Sequence, residues 1–434
     1  MNSNSLINLL EPKPADRYTV ANRLFLANHG SGISSAAVEI DSIKKRLKEI
    51  RLDTRDQLDI ILEELKFNLR KSYPTAKMLY ASDNLAAINE IKEIAGDIRI
   101  VSTNNSSVVD LELRNNLIEA GFQVINSYQA SLNIEKVKEI NYWDIPSLHD
   151  NNPESTFDLI PQNSIARSST IGYMAILGVN AISAKEGAIF FLQHLSNIRR
   201  DIKEANKVVF IIALDKILRT TEDAKFQTQC MGVYGRENII LSMKPKSEEM
   251  LSIDDLNLPI TNSEGAFHFI ILDNGRSKIA TSKYRDLFLC IGCRACNKHC
   301  PIRNPLSTDE YIWTPKNYLM QFLTTKNIHG KTLDICLHCE GCRMDCPLDI
   351  DLPFLMWEAK KDYSKKLGES FSHRLLGRPE ILAKLGTVLA PIANLIMRIK
   401  PARAVMERIT GIDRRTNLPT FHFNTFRRWH KRHG

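Results

Sequence analysis

Cys290-Ile291-Gly292-Cys293-Arg294-Ala295-Cys296-Asn297-Lys298-His299-Cys300-Pro301 sets a pattern that Cys336-Leu337-His338-Cys339-Glu340-Gly341-Cys342-Arg343-Met344-Asp345-Cys346-Pro347 repeats. Both stretches read C-x2-C-x2-C-x3-C-P. Three thiolates two residues apart let one loop curl round a cubane, with backbone N–H groups directed at its sulfurs, and the proline leads the fourth cysteine away. In two-cluster ferredoxins that fourth cysteine ligates the other cluster. The expected ligand sets are therefore Cys290, Cys293, Cys296 and Cys346 for one [4Fe–4S] centre, and Cys336, Cys339, Cys342 and Cys300 for a second. A pair of four-thiolate zinc sites is the alternative, but three consecutive short spacings closed by proline favour the cubane.

Working outward, 35 residues separate Cys300 from Cys336, more than a minimal ferredoxin needs. Their pattern predicts a helix over 309–325, and another follows over 352–366, where Pro353 suits a first turn. Upstream, Asp273-Asn274-Gly275-Arg276-Ser277 is turn-rich and closes the last apolar run. Before it, short β-branched runs alternate with helical ones, the signature of a parallel α/β domain over about 76–275. Strands are expected at 78–80, 98–101, 124–125, 188–192, 208–214, 239–241 and 267–272. Helices are expected at 84–95, at 109–120 ending on Gly121, and at 163–177. Residues 36–70 show two helical faces, Ile43, Leu47 and Ile50, then Leu58, Ile61, Leu62 and Leu65, divided by a Thr54 to Gln57 capping box.

Composition agrees with several domains: 434 residues, 43% apolar and 25% charged, exclude a disordered chain and a single small module. The net charge of +8 is unevenly placed. Residues 370–434 hold 13 Lys and Arg against 3 Asp and Glu, and the rest holds 45 against 47. A uniformly basic nucleic-acid binder is thereby excluded. Nine cysteines, eight of them within residues 290–346, read as metal ligation in a reducing compartment rather than as a disulfide framework. Residues 1–17 lack an apolar signal region, and 382–399 is interrupted by Lys384, Gly386, Pro391, Asn394 and Arg398, short of a membrane span. A cytoplasmic protein is expected, with peripheral membrane contact as a second reading.

An α/β domain joined to this doubled cysteine motif resembles the lactate-utilisation iron–sulfur protein B family. The α/β part looks like a LUD domain through residues 84–121, with the turn at Ser106. It does so again through 178–224, with Ala184-Lys185-Glu186-Gly187, Asn197, Arg199 and Thr221-Glu222-Asp223-Ala224. The resemblance covers about residues 40–365. It implies a fold similar to the sugar-isomerase and CoA-transferase class, and a place in a multisubunit system oxidising lactate to pyruvate. The chain departs from the family at Asn105, where a lysine is usual, at Ser127-Tyr128-Gln129-Ala130-Ser131, and at Lys207, where a histidine is usual. The tail, through Gly411-Ile412-Asp413-Arg414-Arg415, Leu418-Pro419 and Thr425-Phe426-Arg427-Arg428-Trp429, is similar to the segment after the ferredoxin module in iron–sulfur subunits of flavin-linked dehydrogenases.

The expected architecture is thus a helical segment (1–75), a LUD-like α/β domain (76–275), an α-helical two-cluster [4Fe–4S] ferredoxin-type domain (276–366) and a basic amphipathic helical tail (367–434). The expected role is the electron-transfer subunit, rather than the catalytic subunit, of an oxidoreductase acting on lactate or a related small organic acid. A flavoprotein or cysteine-rich subunit is expected to dock on 370–434, and nucleic acid is not an expected partner. The alternative is a non-catalytic iron–sulfur scaffold or redox sensor in a heterodisulfide-reductase-like or glycerol-3-phosphate-dehydrogenase-like complex. Cys230 reads as a buried inert thiol, and His194, His268, His299 and His338 as packing residues. Gly30-Ser31-Gly32 reads as an isolated turn. Glu186 with Arg199 reads as an ion pair or a solvated face, with capture of an acid substrate as the sharper alternative.

Overall fold

The computed structural model describes residues 7–10, 34–104, 106, 108–127, 172–192, 197–234, 266–297, 300–301, 314–324, 333, 336–368 and 371–433. The chain divides into two compact units, Met1–Met356 and Trp357–Gly434.

The first unit is built on a six-stranded parallel sheet. Its strands are β2 (Lys77–Ala81), β3 (Ile100–Thr103), β4 (Gln123–Asn126), β5 (Met174–Gly178), β8 (Lys207–Ala213) and β10 (Ala266–Leu272), in the order β2-β10-β8-β5-β3-β4. The central strands are near-continuous apolar runs, Met174-Ala175-Ile176-Leu177 and Val208-Val209-Phe210-Ile211-Ile212, because both faces of a parallel sheet are covered. On one face Ile176, Val209, Ile211 and Ile270 pack against Ile88, Ile91, Leu113 and Leu117 from the helices that follow β2 and β3. On the other, Phe210 stacks on Phe269 with 5.4 Å between centroids, and Tyr73 and Phe191 close the cluster. A second, mixed sheet is made of β1 (Ile7–Leu10), β6 (Ala181–Ser183), β7 (Ile189–Leu192) and β9 (Ile217–Leu218), in the order β1-β7-β6-β9.

Local chemistry explains the helix ends. Asp83 caps Asn84–Ala95 by accepting from the Ala86 N–H at 2.9 Å, and Gly96 ends it at φ +61°. Leu58–Ser72 buries Leu58, Ile61, Leu62, Leu65 and Leu69, the face that the sequence spacing marks.

Several expectations are corrected. Residues 174–177 form the centre of β5, not a helix, since their run is apolar all round and lies between two partner strands; 163–171 lie outside the described residues. Thr54 does not cap a helix. It donates back to the Ile50 carbonyl at 2.9 Å, and the break falls at Gln57, which makes no side-chain cap. The strand expected at 98–101 is Ile100–Thr103, because Ile98 is spent closing the preceding helix onto the Ala95 carbonyl. The helix expected over 109–120 opens with a π-helical turn, Val109–Leu113, before the α-helix Arg114–Glu119. β1, β6 and β9 had no sequence signal, being two to four residues long. Residues 239–241 lie outside the described residues.

The second unit is helical. Pro379–Val388, Ala390–Arg398 and Lys400–Thr410 each carry proline in the first turn, and Gly411 ends the third in the left-handed region. Arg403 is buried and donates to the carbonyls of Asp413, Arg414 and Thr416, the last at 2.6 Å, pinning the loop that follows its own helix. Asn394 forms a reciprocal pair with the Phe421 backbone at 2.8 and 2.9 Å. The basic tail is thus folded by its own contacts. Among the described residues no single helix is long and apolar enough to cross a membrane. Pro379–Val388 and Ala390–Arg398 meet the length and composition only as a pair bent by 102°.

Candidate metal centre

The two cysteine loops follow the same backbone path. In the first, Gly292 and Arg294 flank Cys293 at φ +83° and +64°; in the second, His338 and Glu340 flank Cys339 at φ +52° and +63°. Left-handed residues alternating with ordinary ones turn successive N–H groups inward, making an anion-binding concavity. Only one of the four is glycine, so three side chains bear the steric cost of that conformation, about 1–2 kcal/mol each. Each loop then enters a short helical turn, Ala295–Asn297 in the first and Gly341–Met344 in the second.

Backbone donors reach the sulfurs as this path requires. Gly292 N–H meets Cys290 Sγ at 3.4 Å, Ala295 N–H serves Cys293, and Lys316 N–H, from the helix Pro315–Thr324, serves Cys296. Leu348 and Ile350 N–H groups serve Cys346.

The thiols act on one another in two groups. Cys293 and Cys296 feel the charges of Cys290 and Cys346, and Cys342 feels those of Cys336, Cys300 and Cys339. Burial is the largest influence on each of these buried thiols. It pushes Cys342 up to about 12 and Cys346 to about 11, and holds Cys293 and Cys296 above the ordinary thiol range. A bound metal's charge is what overrides such desolvation and makes thiolates of them. Soft sulfur donors with backbone N–H groups turned toward them suit iron–sulfur clusters. Among the described residues no three His, Cys, Asp or Glu side chains converge on a single-ion point.

A buried polar shell lies behind the first loop. Arg51, 0% exposed, comes from the helix Ser34–Asp56 and donates to the carbonyls of Phe288 (2.8 Å) and Leu289 (3.1 Å) and to Gln227 (3.1 Å). Lys216, on the turn after β8, donates to the Ile291 carbonyl at 2.7 Å and lies 3.6 Å from Asp215. Asp215 also accepts from Arg276 at 2.7 Å, and the guanidinium spans to Glu112 at 3.0 Å, whose carboxylate takes Asn274 too. Burial opposes the charge on Asp215, but Lys216, Arg276, Lys316 and Arg51 together hold its carboxyl far below the usual range. The segment 273–277, read as a turn-rich break, is this knot: Asp273, Asn274 and Arg276 are buried. Turn composition concealed it. The available signal was charge set against apolar sequence at Asp215-Lys216 and at Arg51, since buried charges occur where they are paired.

The remaining singled-out residues serve the fold. Glu186 accepts from the Thr221 N–H and hydroxyl at 3.0 Å each, capping the helix Thr221–Tyr234. Lys207 donates to the Ile94 carbonyl at 2.5 Å. Cys230 is buried, and desolvation pushes its thiol up to about 12. His268 lies half-buried in β10. Asn105, His194, His299, residues 30–32 and 128–131, and the side chain of Arg199 lie outside the described residues.

Residues 289–351 match the family model of the 4Fe-4S dicluster domain. Lactate utilization protein B of Bacillus cytotoxicus is 21% identical over 426 residues, covering 89% of this chain and 87% of the relative. The protein of the same name from Shouchella clausii is 22% identical over 350 residues, 71% and 69% of the two chains. A subunit of the anaerobic glycerol-3-phosphate dehydrogenase of Escherichia coli K12 is 28% identical over 144 residues, 33% of this chain and 36% of the relative. No solved structure gives a significant match. The chain is thus similar to lactate utilization protein B over most of its length and carries a 4Fe-4S dicluster domain.

Proposed function

We propose that this protein is the iron–sulfur electron-transfer subunit of a multisubunit oxidoreductase acting on lactate or a related small organic acid. The observation that carries the reading is that both C-x2-C-x2-C-x3-C-P loops take the same left-handed path within the stretch that matches the 4Fe-4S dicluster domain. Cys290, Cys293, Cys296 and Cys346 would hold one [4Fe–4S] cluster, and Cys336, Cys339, Cys342 and Cys300 the second. Bound there, two cubanes supply one-electron transfer. The chain's own part is to hold the loops, aim N–H groups at the sulfurs and shield Cys296 and Cys342 from water.

The parallel α/β sheet supports assigning 76–275 to a LUD-like domain of the sugar-isomerase and CoA-transferase class. The relatives' names support lactate utilisation and membership of a complex. The folded, cationic second unit, with Leu385, Leu389, Ile392, Leu395 and Trp429 exposed, supports docking of a flavoprotein or cysteine-rich subunit on 370–434.

Anaerobic iron analysis with EPR tests the reading. About eight irons per chain are expected, falling to about four in C346S and in C300S, each variant losing a different cluster. About two zincs and no visible chromophore would refute it. If copurification with a chain truncated at Ser370 recovers the same subunits as the intact chain, the docking assignment fails; retention of the intact chain by anionic vesicles without a partner assigns the tail to a membrane surface instead.

A further inference from the structure

Positive charge is concentrated behind the first cysteine loop. Arg51, Lys216, Arg276 and Lys316 all act on Asp215, and Arg276 also pairs with Glu112. Arg276 lies between both carboxylates, 2.7 Å from Asp215 and 3.0 Å from Glu112. Lys216 and Arg51 face the other way. Both donate to carbonyls of 288–291, the stretch that runs through the first ligand Cys290, and the Cys290 sulfur acts on both. Lys216 also reaches the left-handed glycine between the first two ligands: a Cβ on Gly292 would lie 3.0 Å from Nζ. Buried charges persist where they are compensated, and four thiolates round a [4Fe–4S] core form an anion. Around the second group the neighbours differ. Other thiols are the charges that act on Cys342, and Arg343 beside it is exposed and engaged by Asp349 and Asp351. Asp349 is the carboxylate that acts on the first group, through Cys346.

We propose that Lys216, held in place by Asp215, raises the reduction potential of the cluster bound by Cys290, Cys293, Cys296 and Cys346, drawing the electron toward the α/β body. This rests on the two-cluster reading above. The step is a one-electron reduction, with the electron supplied in the test by dithionite through dissolved mediators. The added negative charge is met by the Lys216 ammonium, whose charge burial disfavours and the Asp215 carboxylate 3.6 Å away supports. A fixed cation in a low-dielectric setting stabilises the reduced form over the oxidised one, and the effect fades with distance and screening.

Mediated redox titration with EPR on the intact, cluster-loaded chain tests it, with iron counted in every sample. In K216M the reduction constant of one cluster falls at least tenfold, equivalent to ~59 mV for a one-electron couple, while the other cluster stays put. K216R returns the wild-type value. K216Q keeps a donor for the Ile291 carbonyl but carries no charge, and it moves the same cluster in the same direction as K216M, a shift that loosened packing would not produce. Midpoints unchanged in an iron-replete K216M, both clusters moving together, or K216Q keeping the wild-type midpoint would each overturn the proposal. If K216M fails to retain iron, K216Q decides alone: a fall in one midpoint supports the assignment and no change refutes it. A wild-type iron count far below eight would instead refute the two-cluster reading, and the assignment to Lys216 with it.

Discussion

Replacing Arg276 with methionine is expected to destabilise the first unit by about 4 kcal/mol, because the guanidinium links the buried Asp215 to the largely covered Glu112. Arg276 is 1% exposed, and the Asp215 and Glu112 side chains are 6% and 15% exposed. Breaking a buried pair by removing one partner costs about 3–5 kcal/mol, because a charge is left behind. Loss of the hydrogen bond to the Asp273 carbonyl, 3.2 Å, adds about 1 kcal/mol. Lys216, still 3.6 Å from Asp215, returns part of this, and methionine refills most of the apolar volume. With a urea slope of ~2.5 kcal/mol per molar, the midpoint should fall by about 1.6 M. The acid limb should change as well. In the wild type Asp215 is held far below the usual carboxylate range, so its contribution is present above the unfolded value near ~3.9 and is lost as pH falls through the lower native value. With Arg276 gone that depression shrinks and the acid limb flattens. The assay is anaerobic urea unfolding of the loaded protein, followed by circular dichroism at several pH values. R276M/E112Q, which removes one stranded charge, should recover about 1 kcal/mol or more, as coupled neighbours do. A loss below ~1 kcal/mol for R276M, or a double variant no more stable than the single one, would refute the reasoning.

Three further outcomes are expected. Burial, with Lys207 and Lys77, lowers the pKa of His268 below its ordinary value of 6.5, so it is neutral in the fold and stability is lost as pH falls below ~6.5; H268Q should remove that part of the slope in thermal melts between about pH 5 and 7. A Cβ on Gly178 would overlap the Ser106 hydroxyl, so G178A should cost about 1–3 kcal/mol in urea melts, and S106G in the same chain should relieve it. Arg403→Met frees three carbonyls of the loop at 413–416, so limited proteolysis should cut there first, at least tenfold faster than in the wild type, with unchanged iron content.

What was legible in the sequence was whatever depends on spacing along the chain. The doubled cysteine motif marked both cysteine loops, and apolar periodicity marked the helix Leu58–Ser72 and the strands β2, β8 and β10. Gly411 and Pro353 marked helix ends, since φ preferences are local. Residues 174–177 misled because an apolar run of four reads equally as buried helix or buried strand, and only the two neighbouring strands decide between them. Arg51, Lys216 and Arg276 were invisible because their meaning lies in partners 61 to 238 residues away: Arg276 with Asp215, Lys216 with Ile291, Arg51 with Leu289. A charge in a sequence is solvated by default, and only packing removes the water. The sequence alone therefore determined which atoms can hold metal, because ligand chemistry and loop spacing are local. The tertiary structure alone decided which buried cations stand behind the first cysteine loop, because desolvation and Coulomb interaction depend on distance in space.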